Sequence, residues 1–270
     1  MNSQQVNRIL EFLEIAHQPP SLDGVDALLS AYTKKIAWES MSRIARKAQA
    51  PHFTQAHLFP DAFWESAIAN GTGGTCYESN YAFLSLLKAL GYEGYLTINN
   101  MHEYIGCHSA IILTIEDALY LVDAGMPFHV AIPFHPNHPT GRRGQFHEYR
   151  ITPQGDDIYL IERTHHPKPY CYTLINKPIQ EAQYQQILIH DYDENGLFLD
   201  RAIIVKVIHD QMWRFDSSAQ PYQIEIFSGF SSDKYFQFLG KELDTVSDAL
   251  AQAFQMSPQI ILTALKQVGA

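Results

Sequence analysis

Cys76 stands in a setting that could do covalent chemistry. It follows Gly73-Gly74-Thr75 and precedes Tyr77-Glu78, so a glycine turn gives way to a helix. Thr75 as N-cap and Glu78 three residues on make a capping-box pattern. Tyr77, Tyr81, Leu84 and Leu87 recur at intervals of three and four, and Gly91 offers a stop. The cysteine therefore falls in the first helical turn, where unpaired amide N–H groups and the positive end of the helix dipole favour a thiolate. Thiolates, not thiols, attack carbonyl carbons. The glycines would let the backbone come close to whatever the sulfur attacks. The plainer alternative is a small buried cysteine that happens to open a helix.

A nucleophilic cysteine needs a base, and the base needs an orienter. Residues 110–115 and 118–122 are apolar runs of strand length separated by Glu116-Asp117. They predict an antiparallel hairpin with a two-residue turn. If Ile115 pairs with Ala118, Ala110 lies opposite Asp123 and His108 lies opposite Gly125. Asp123 is then the same-face diagonal neighbour of His108, within reach of a side-chain contact. A slip of one residue would separate the two faces, so the pair depends on the turn length. Cys107 adjoins His108 in the same strand and should point to the opposite face.

The run from Gly73 to Asn80 resembles the Arg-Gly-Gly-x-Cys-aromatic-Glu-x-Asn signature of the arylamine N-acetyltransferases. His108 and Tyr120-Leu121-Val122-Asp123-Ala124-Gly125 are similar to that family's histidine strand and its Asp-Val-Gly-Phe-Gly strand end. Ile36-Ala37-Trp38-Glu39-Ser40 resembles its Ile-Pro-Phe-Glu-Asn segment. Four segments in family order cover roughly the first half of the chain; the second half agrees only in general character.

The resemblance implies a Cys76–His108–Asp123 triad on a cysteine-proteinase-like core related to papain-like proteases and transglutaminases. It implies an α+β fold: an N-terminal helical region, a central antiparallel β-barrel and a C-terminal mixed α/β lid. It further implies ping-pong acetyl transfer from acetyl-coenzyme A, as co-substrate with no permanently bound cofactor, to a small aromatic amine or hydrazine. His108 would hold the thiol proton and Asp123 would fix the imidazole tautomer. The backbone N–H of Tyr77 is the candidate oxyanion donor, and Trp38, Gly125 and Met126 would border the acceptor. A hydrolase or amide synthase using the same triad, or a non-catalytic acyl- or ligand-binding relative, remains open.

The departures are specific. Thr72 replaces the motif's arginine, which in the family pairs with the glutamate matched by Glu39, so Glu39 needs another partner or must stay solvated. Gly125-Met126-Pro127 replaces Gly-Phe-Gly, Ser40 an asparagine and Trp38 a phenylalanine. These changes leave the triad in place and bear on acceptor preference, which suggests a divergent member.

At 270 residues, 46% apolar and 18% charged, the chain can bury a core without staples. Three cysteines with no CxxC spacing point to a reducing compartment. Residues 1–13 lack a basic segment followed by an apolar run, and no stretch approaches the ~20 apolar residues that span a bilayer. A cytoplasmic protein without a membrane partner is expected. A net charge of −10 argues against nucleic acid and sits awkwardly with the phosphates of coenzyme A. Arg142-Arg143 is one candidate for them, with a solvated loop tip as the simpler reading.

Three regions emerge. Residues 1–91 read as helical and carry Cys76. Residues 92–178 read as strands with long loops and carry His108 and Asp123. Residues 179–270 mix strand and helix signals as a lid. Four prolines make residues 127–144 an expected irregular segment. His129, His135 and His138 fit no common zinc spacing, so no metal is expected. Cys171 reads as a small core residue. His102 and His165-His166 read as surface or hydrogen-bonded histidines, and Asp191, Asp193 and Glu194 as a polar turn rather than a calcium loop.

Overall fold

A computed structural model describes residues 1–126, 128–164, 168–228 and 234–269. Its first helices are α1 (Ser3–Leu13), α2 (Leu22–Lys35), α3 (Met41–Gln49), α4 (Pro60–Asn70) and α5 (Cys76–Ala89). Later come α6 (Glu181–His190), α7 (Leu243–Phe254) and α8 (Pro258–Gln267). The strands begin with β1 (Trp38–Glu39), β2 (Glu93–Met101), β3 (Tyr104–Ile115) and β4 (Ala118–Val122). They continue with β5 (Ile132–Phe134), β6 (Thr140–Arg143), β7 (Glu148–Gly155), β8 (Ile158–Arg163) and β9 (Tyr170–Ile175). The last are β10 (Ile203–Ile208), β11 (Gln211–Asp216), β12 (Tyr222–Phe227) and β13 (Lys234–Gly240). The fold is α+β, and the chain divides into two compact units, Met1–Thr33 with Ser79–Glu181 and Lys34–Glu78 with Ala182–Ala270.

In the first unit an antiparallel sheet runs β5-β4-β3-β2-β9-β8-β7-β6. It curls into a nearly closed barrel. The two edge strands are tied together by Thr140 Oγ1 donating to the Pro133 carbonyl at 2.5 Å and Arg142 Nη1 donating to the Ala131 carbonyl at 2.9 Å. Ala110, Ile112, Leu121, Phe128, Ile151, Ile161 and Cys171 are among the residues that fill its core. The β3–β4 hairpin pairs Ile115 with Ala118 and Ile111 with Val122, the register its apolar pattern predicts. Glu116 and Asp117 have φ of 49° and 62°, the left-handed pair of a type I′ turn. Helix α1 buries Val6, Ile9, Leu10 and Leu13 on one face, as their spacing requires, and opens with a capping box between Asn2 and Gln5.

One expectation fails here. Residues 127–144 are not wholly irregular, because β5 and β6 lie within them. Pro133 is tolerated in β5 because β5 is an edge strand, where the missing N–H need not serve a second neighbour.

In the second unit β1-β10-β11-β12-β13 form a second antiparallel sheet. Ile204, Phe215 and Ile224 pack with Val246, Leu250 and Phe254 of α7 and with Ile261 and Leu265 of α8 into a second core. Pro258 opens α8 after Ser257, where its missing N–H would have had no helical partner. Among the described residues no helix is long and apolar enough to cross a membrane.

Candidate active site

Cys76 is the first residue of α5 and is 7% exposed. The turn before it is bound to its own unit through the backbone. Gly73 N–H donates to Glu39 Oε1 at 3.0 Å, and Glu39 N–H donates to the Gly74 carbonyl at 3.2 Å. A Cβ on Gly73 would lie 1.8 Å from the Ala37 carbonyl oxygen. Gly73 is thus required for contact with the protein's own backbone, a role different from the approach to substrate expected of it.

The buried Glu39 takes Ser42 N–H at 2.8 Å and Ser42 Oγ–H at 2.5 Å, so it is satisfied without an arginine at Thr72. Thr72 Oγ1 donates to Ser66 Oγ at 2.8 Å. Among the described residues no capping-box bond joins Thr75 to Glu78. The Glu78 carboxylate takes Leu58 N–H and Arg46 Nη2 at 2.8 Å and Tyr192 Oη–H at 2.6 Å instead. The half-buried Arg46 guanidinium is a stronger partner for the buried Glu78 carboxylate than a helix amide.

At the barrel, His108 follows the same strand face as Ala110 and Ile112, and its ring lies 4.3 Å from that of Tyr172. Its Nε2 donates to Asp123 Oδ2 at 2.7 Å, with His108 3% and Asp123 0% exposed. The other carboxylate oxygen, Oδ1, takes Gly125 N–H at 2.9 Å, Met126 N–H at 2.8 Å and Asn80 Nδ2–H at 3.0 Å. A carboxylate so held keeps the Nε2 proton toward itself, so in the neutral ring Nδ1 is the nitrogen that can take a proton. Asn80 also donates to the Ser109 carbonyl at 2.6 Å and accepts Ala124 N–H at 2.9 Å. Asn80 lies four residues after Cys76 on α5, on the same helix face. The signature contains Asn80, but no role follows from the motif alone; the i, i+4 spacing was the available signal.

A family model described as N-acetyltransferase matches residues 21–219. The chain belongs to the arylamine N-acetyltransferase family. Solved structures of family members share its fold at low identity. A Mycobacterium marinum arylamine N-acetyltransferase in complex with CoA is 16% identical, covering 97% of this chain and 99% of that one, with a TM-score of 0.79. The Salmonella typhimurium enzyme is 14% identical over 98% and 99% of the two chains, TM-score 0.80. A Bacillus cereus arylamine N-acetyltransferase is 18% identical over 95% and 100%, TM-score 0.74, and is described as having a unique Cys-His-Glu catalytic triad. The curated proteins contain no match.

The other residues singled out in this N-acetyltransferase fall as follows. Trp38 pairs with Val205 and packs edge-on against Phe198 at 5.0 Å. Gly125 and Met126 form the turn that supplies amides to Asp123, while Pro127 and His165-His166 lie outside the described residues. The Tyr77 carbonyl accepts Tyr184 Oη–H at 2.8 Å. Cys107 Sγ lies 3.2 Å from the Tyr104 carbonyl. Burial pushes the Cys171 thiol up to about 12, as befits a core residue. His129 Nδ1 contacts Thr33 Oγ1 at 3.0 Å, and the rings of His135 and His138 lie 3.6 Å apart. Arg142 forms a bidentate pair with Asp26, so its guanidinium is already engaged and is a poor candidate for coenzyme phosphates.

Arg43, Arg46 and Tyr192 were not legible as site residues. Burial works against the charge on Arg43, but Asp191, Tyr192 and Glu78 outweigh it and its pKa is raised. Burial lifts the Asp191 carboxyl to about 6, with Arg43 holding it lower than it would otherwise stand.

Proposed function

We propose that this N-acetyltransferase moves an acetyl group from acetyl-coenzyme A, through a thioester on Cys76, to a small aromatic amine or hydrazine. The observation that carries the reading is the buried His108–Asp123 pair at 2.7 Å, fastened by Asn80 to the helix whose first residue is Cys76. His108 accepts the Cys76 thiol proton at Nδ1, and Asp123 stabilises the imidazolium that results. The sulfur then attacks the acetyl carbonyl, with Tyr77 N–H at the helix N-terminus as oxyanion donor. The C–S bond to coenzyme A breaks, and its thiolate leaves with the proton from His108. The amine next attacks the Cys76 thioester and gives a proton to His108. Cys76 leaves as thiolate and is reprotonated from His108. Trp38, Gly125 and Met126 are proposed to border the acceptor.

The test is intact-mass analysis after mixing the protein with acetyl-coenzyme A alone. A gain of one acetyl group, mapped to Cys76 and lost on adding an arylamine with formation of the amide, is the expected result. Absence of the adduct, with release of free acetate, would point to a hydrolase and end this reading. Two-substrate kinetics should give parallel double-reciprocal lines, the mark of a carrier that is loaded and unloaded in turn.

A further inference from the structure

Two arginines with no part in that chemistry sit under the turn that carries Cys76. Arg43 and Arg46 lie three residues apart on α3. Arg43 is 1% exposed, and its Nη1 donates to Thr75 Oγ1 at 2.8 Å and to the Leu197 carbonyl at 3.1 Å. Its Nη2 donates to the Asp191 carbonyl at 2.8 Å and to Asp191 Oδ2 at 2.6 Å. Arg46 Nε donates to the Ala56 carbonyl at 2.8 Å and Nη1 to Ser42 Oγ at 2.9 Å. Its Nη2 reaches both Glu78 oxygens at 2.8 Å and Tyr192 Oη at 2.5 Å. Tyr192 closes the network: its hydroxyl donates to Glu78, and its ring lies 4.7 Å from the Arg43 guanidinium carbon.

Burying one guanidinium and half-burying a second is costly, and well-packed apolar side chains often replace such groups without loss of stability. What apolar groups cannot supply is a fork of fixed geometry. Here the forks grip Thr75 and Glu78, the residues on either side of Cys76-Tyr77, while Ser42 extends the same network through Glu39 to Gly73. The geometry points to Arg43 and Arg46 as positioning residues that hold the Thr75–Glu78 turn so that the Cys76 sulfur is aimed for acyl transfer. The inference rests on Cys76 being the acyl carrier.

The experiment measures single-turnover acylation by p-nitrophenyl acetate, a donor that lacks the coenzyme, with acetyl-coenzyme A in parallel and thermal unfolding for the folded fraction. Tyr192→Phe removes only the hydroxyl shared by Arg46 and Glu78, and the ester acylation rate constant should fall about 3–10-fold. Arg46→Met should lower it about 30–100-fold, the scale of a small misplacement of a reacting group. Arg46→Lys, which keeps the charge without the fork, should fall between Arg46→Met and the unmodified protein. Half-saturation by the ester should stay within about 2-fold, since binding is not what the forks serve. Ester rate constants per folded molecule equal to the unmodified protein in Tyr192→Phe and Arg46→Lys would overturn the inference, and these two decide it if Arg46→Met does not fold. An unmodified protein that takes acetyl from the ester but not from acetyl-coenzyme A would sink the donor assignment and leave this comparison standing. Acylation by neither donor would overturn both.

Discussion

Asn80 Nδ2 lies 3.0 Å from Asp123 Oδ1, so a residue one turn beyond Cys76 on α5 holds the carboxylate that holds His108. The same amide group accepts Ala124 N–H and donates to the Ser109 carbonyl, which bonds it to β3 and to the turn that follows β4. The two oxygens of Asp123 therefore have separate duties. Among the described residues Oδ1 takes three N–H groups, and Oδ2 takes His108.

That division predicts the effect of Asp123→Asn. A carboxamide has one acceptor oxygen. Three N–H donors around Oδ1 outnumber one at Oδ2, so the oxygen should settle at the Oδ1 position and the NH2 group should face His108. His108 must then accept at Nε2 and carry its proton on Nδ1, the tautomer that cannot take a proton from Cys76. Cys76 acylation should fall roughly 10³–10⁴-fold, the scale of a lost tautomer in a triad. Thermal unfolding alongside single-turnover acylation checks it. A folded variant acylating within about tenfold of the unmodified protein would show that Asp123 does not set the tautomer.

The three cysteines should separate cleanly. Cys76→Ser should abolish acylation with little change in unfolding midpoint, since the hydroxyl is nearly isosteric with the thiol. Cys107→Ala should keep near-full activity, because Cys107 is half-exposed and its sulfur lies beside Tyr104. Cys171→Ala should keep the rate per folded molecule while lowering stability by about 1–2 kcal/mol, the scale of a small deletion from a packed core. Acetyl-transfer assays and urea denaturation of the three variants provide the readout. Substantial turnover by Cys76→Ser would remove it from the mechanism.

Local patterns were legible where the chain's own neighbours decide the outcome. The i, i+3, i+4 rows of α1 and α5, the Glu116-Asp117 turn and the Ile115–Ala118 register all rest on short-range periodicity. That register brings His108 to Asp123. The network under Cys76 was not legible, because Tyr192 meets Arg46 across 146 residues and Glu78 across 114. Glu78 sits where a capping box places it, yet its partners are Arg46, Tyr192 and Leu58 N–H. Local pattern cannot register a competitor that tertiary packing delivers. Pro133 failed for the opposite reason: proline argues against a strand, but position at a sheet edge cancels the argument.

Gly73 and Gly74 should not be equivalent. A Cβ at Gly73 meets backbone, the Ala37 carbonyl oxygen at 1.8 Å and carbon at 2.9 Å. A Cβ at Gly74 meets side chains, Glu78 Oε2 at 2.9 Å and Phe63 Cε2 at 3.2 Å. Backbone in a bonded turn yields less than side-chain ends do. Gly73→Ala should cost about 3 kcal/mol or more, the upper range for overpacking, and Gly74→Ala about 1–2 kcal/mol. Denaturant midpoints of the two variants decide between them. Equal losses would mean that the turn moves as one body away from Ala37.

Lys206 supplies a pH signature unconnected with the triad. It is 5% exposed, and its Nζ donates to the Phe254 carbonyl, at the C-terminus of α7, at 3.0 Å. Burial, helped by the like charge of Lys35, lowers its pKa from 10.5 to about 8. Below pH 8 both folded and unfolded chains carry this proton, and the full cost of burying the charge is present. Between about pH 8 and 10.5 the folded chain has lost the proton while the unfolded chain still binds it. Stability from this group therefore rises with pH across that window. The gain should approach about 2–3 kcal/mol by pH 10, at about 1.4 kcal/mol for each tenfold difference in proton affinity between the folded and unfolded chains. Lys206→Met keeps the apolar stem and cannot titrate, so its stability relative to the unmodified protein should decline from pH 7 to pH 10 by that amount. Urea unfolding of both chains at pH 7, 8, 9 and 10 isolates the effect, because every other titrating group is common to the pair. Parallel curves across the four pH values would mean that Lys206 titrates alike in the folded and unfolded chains.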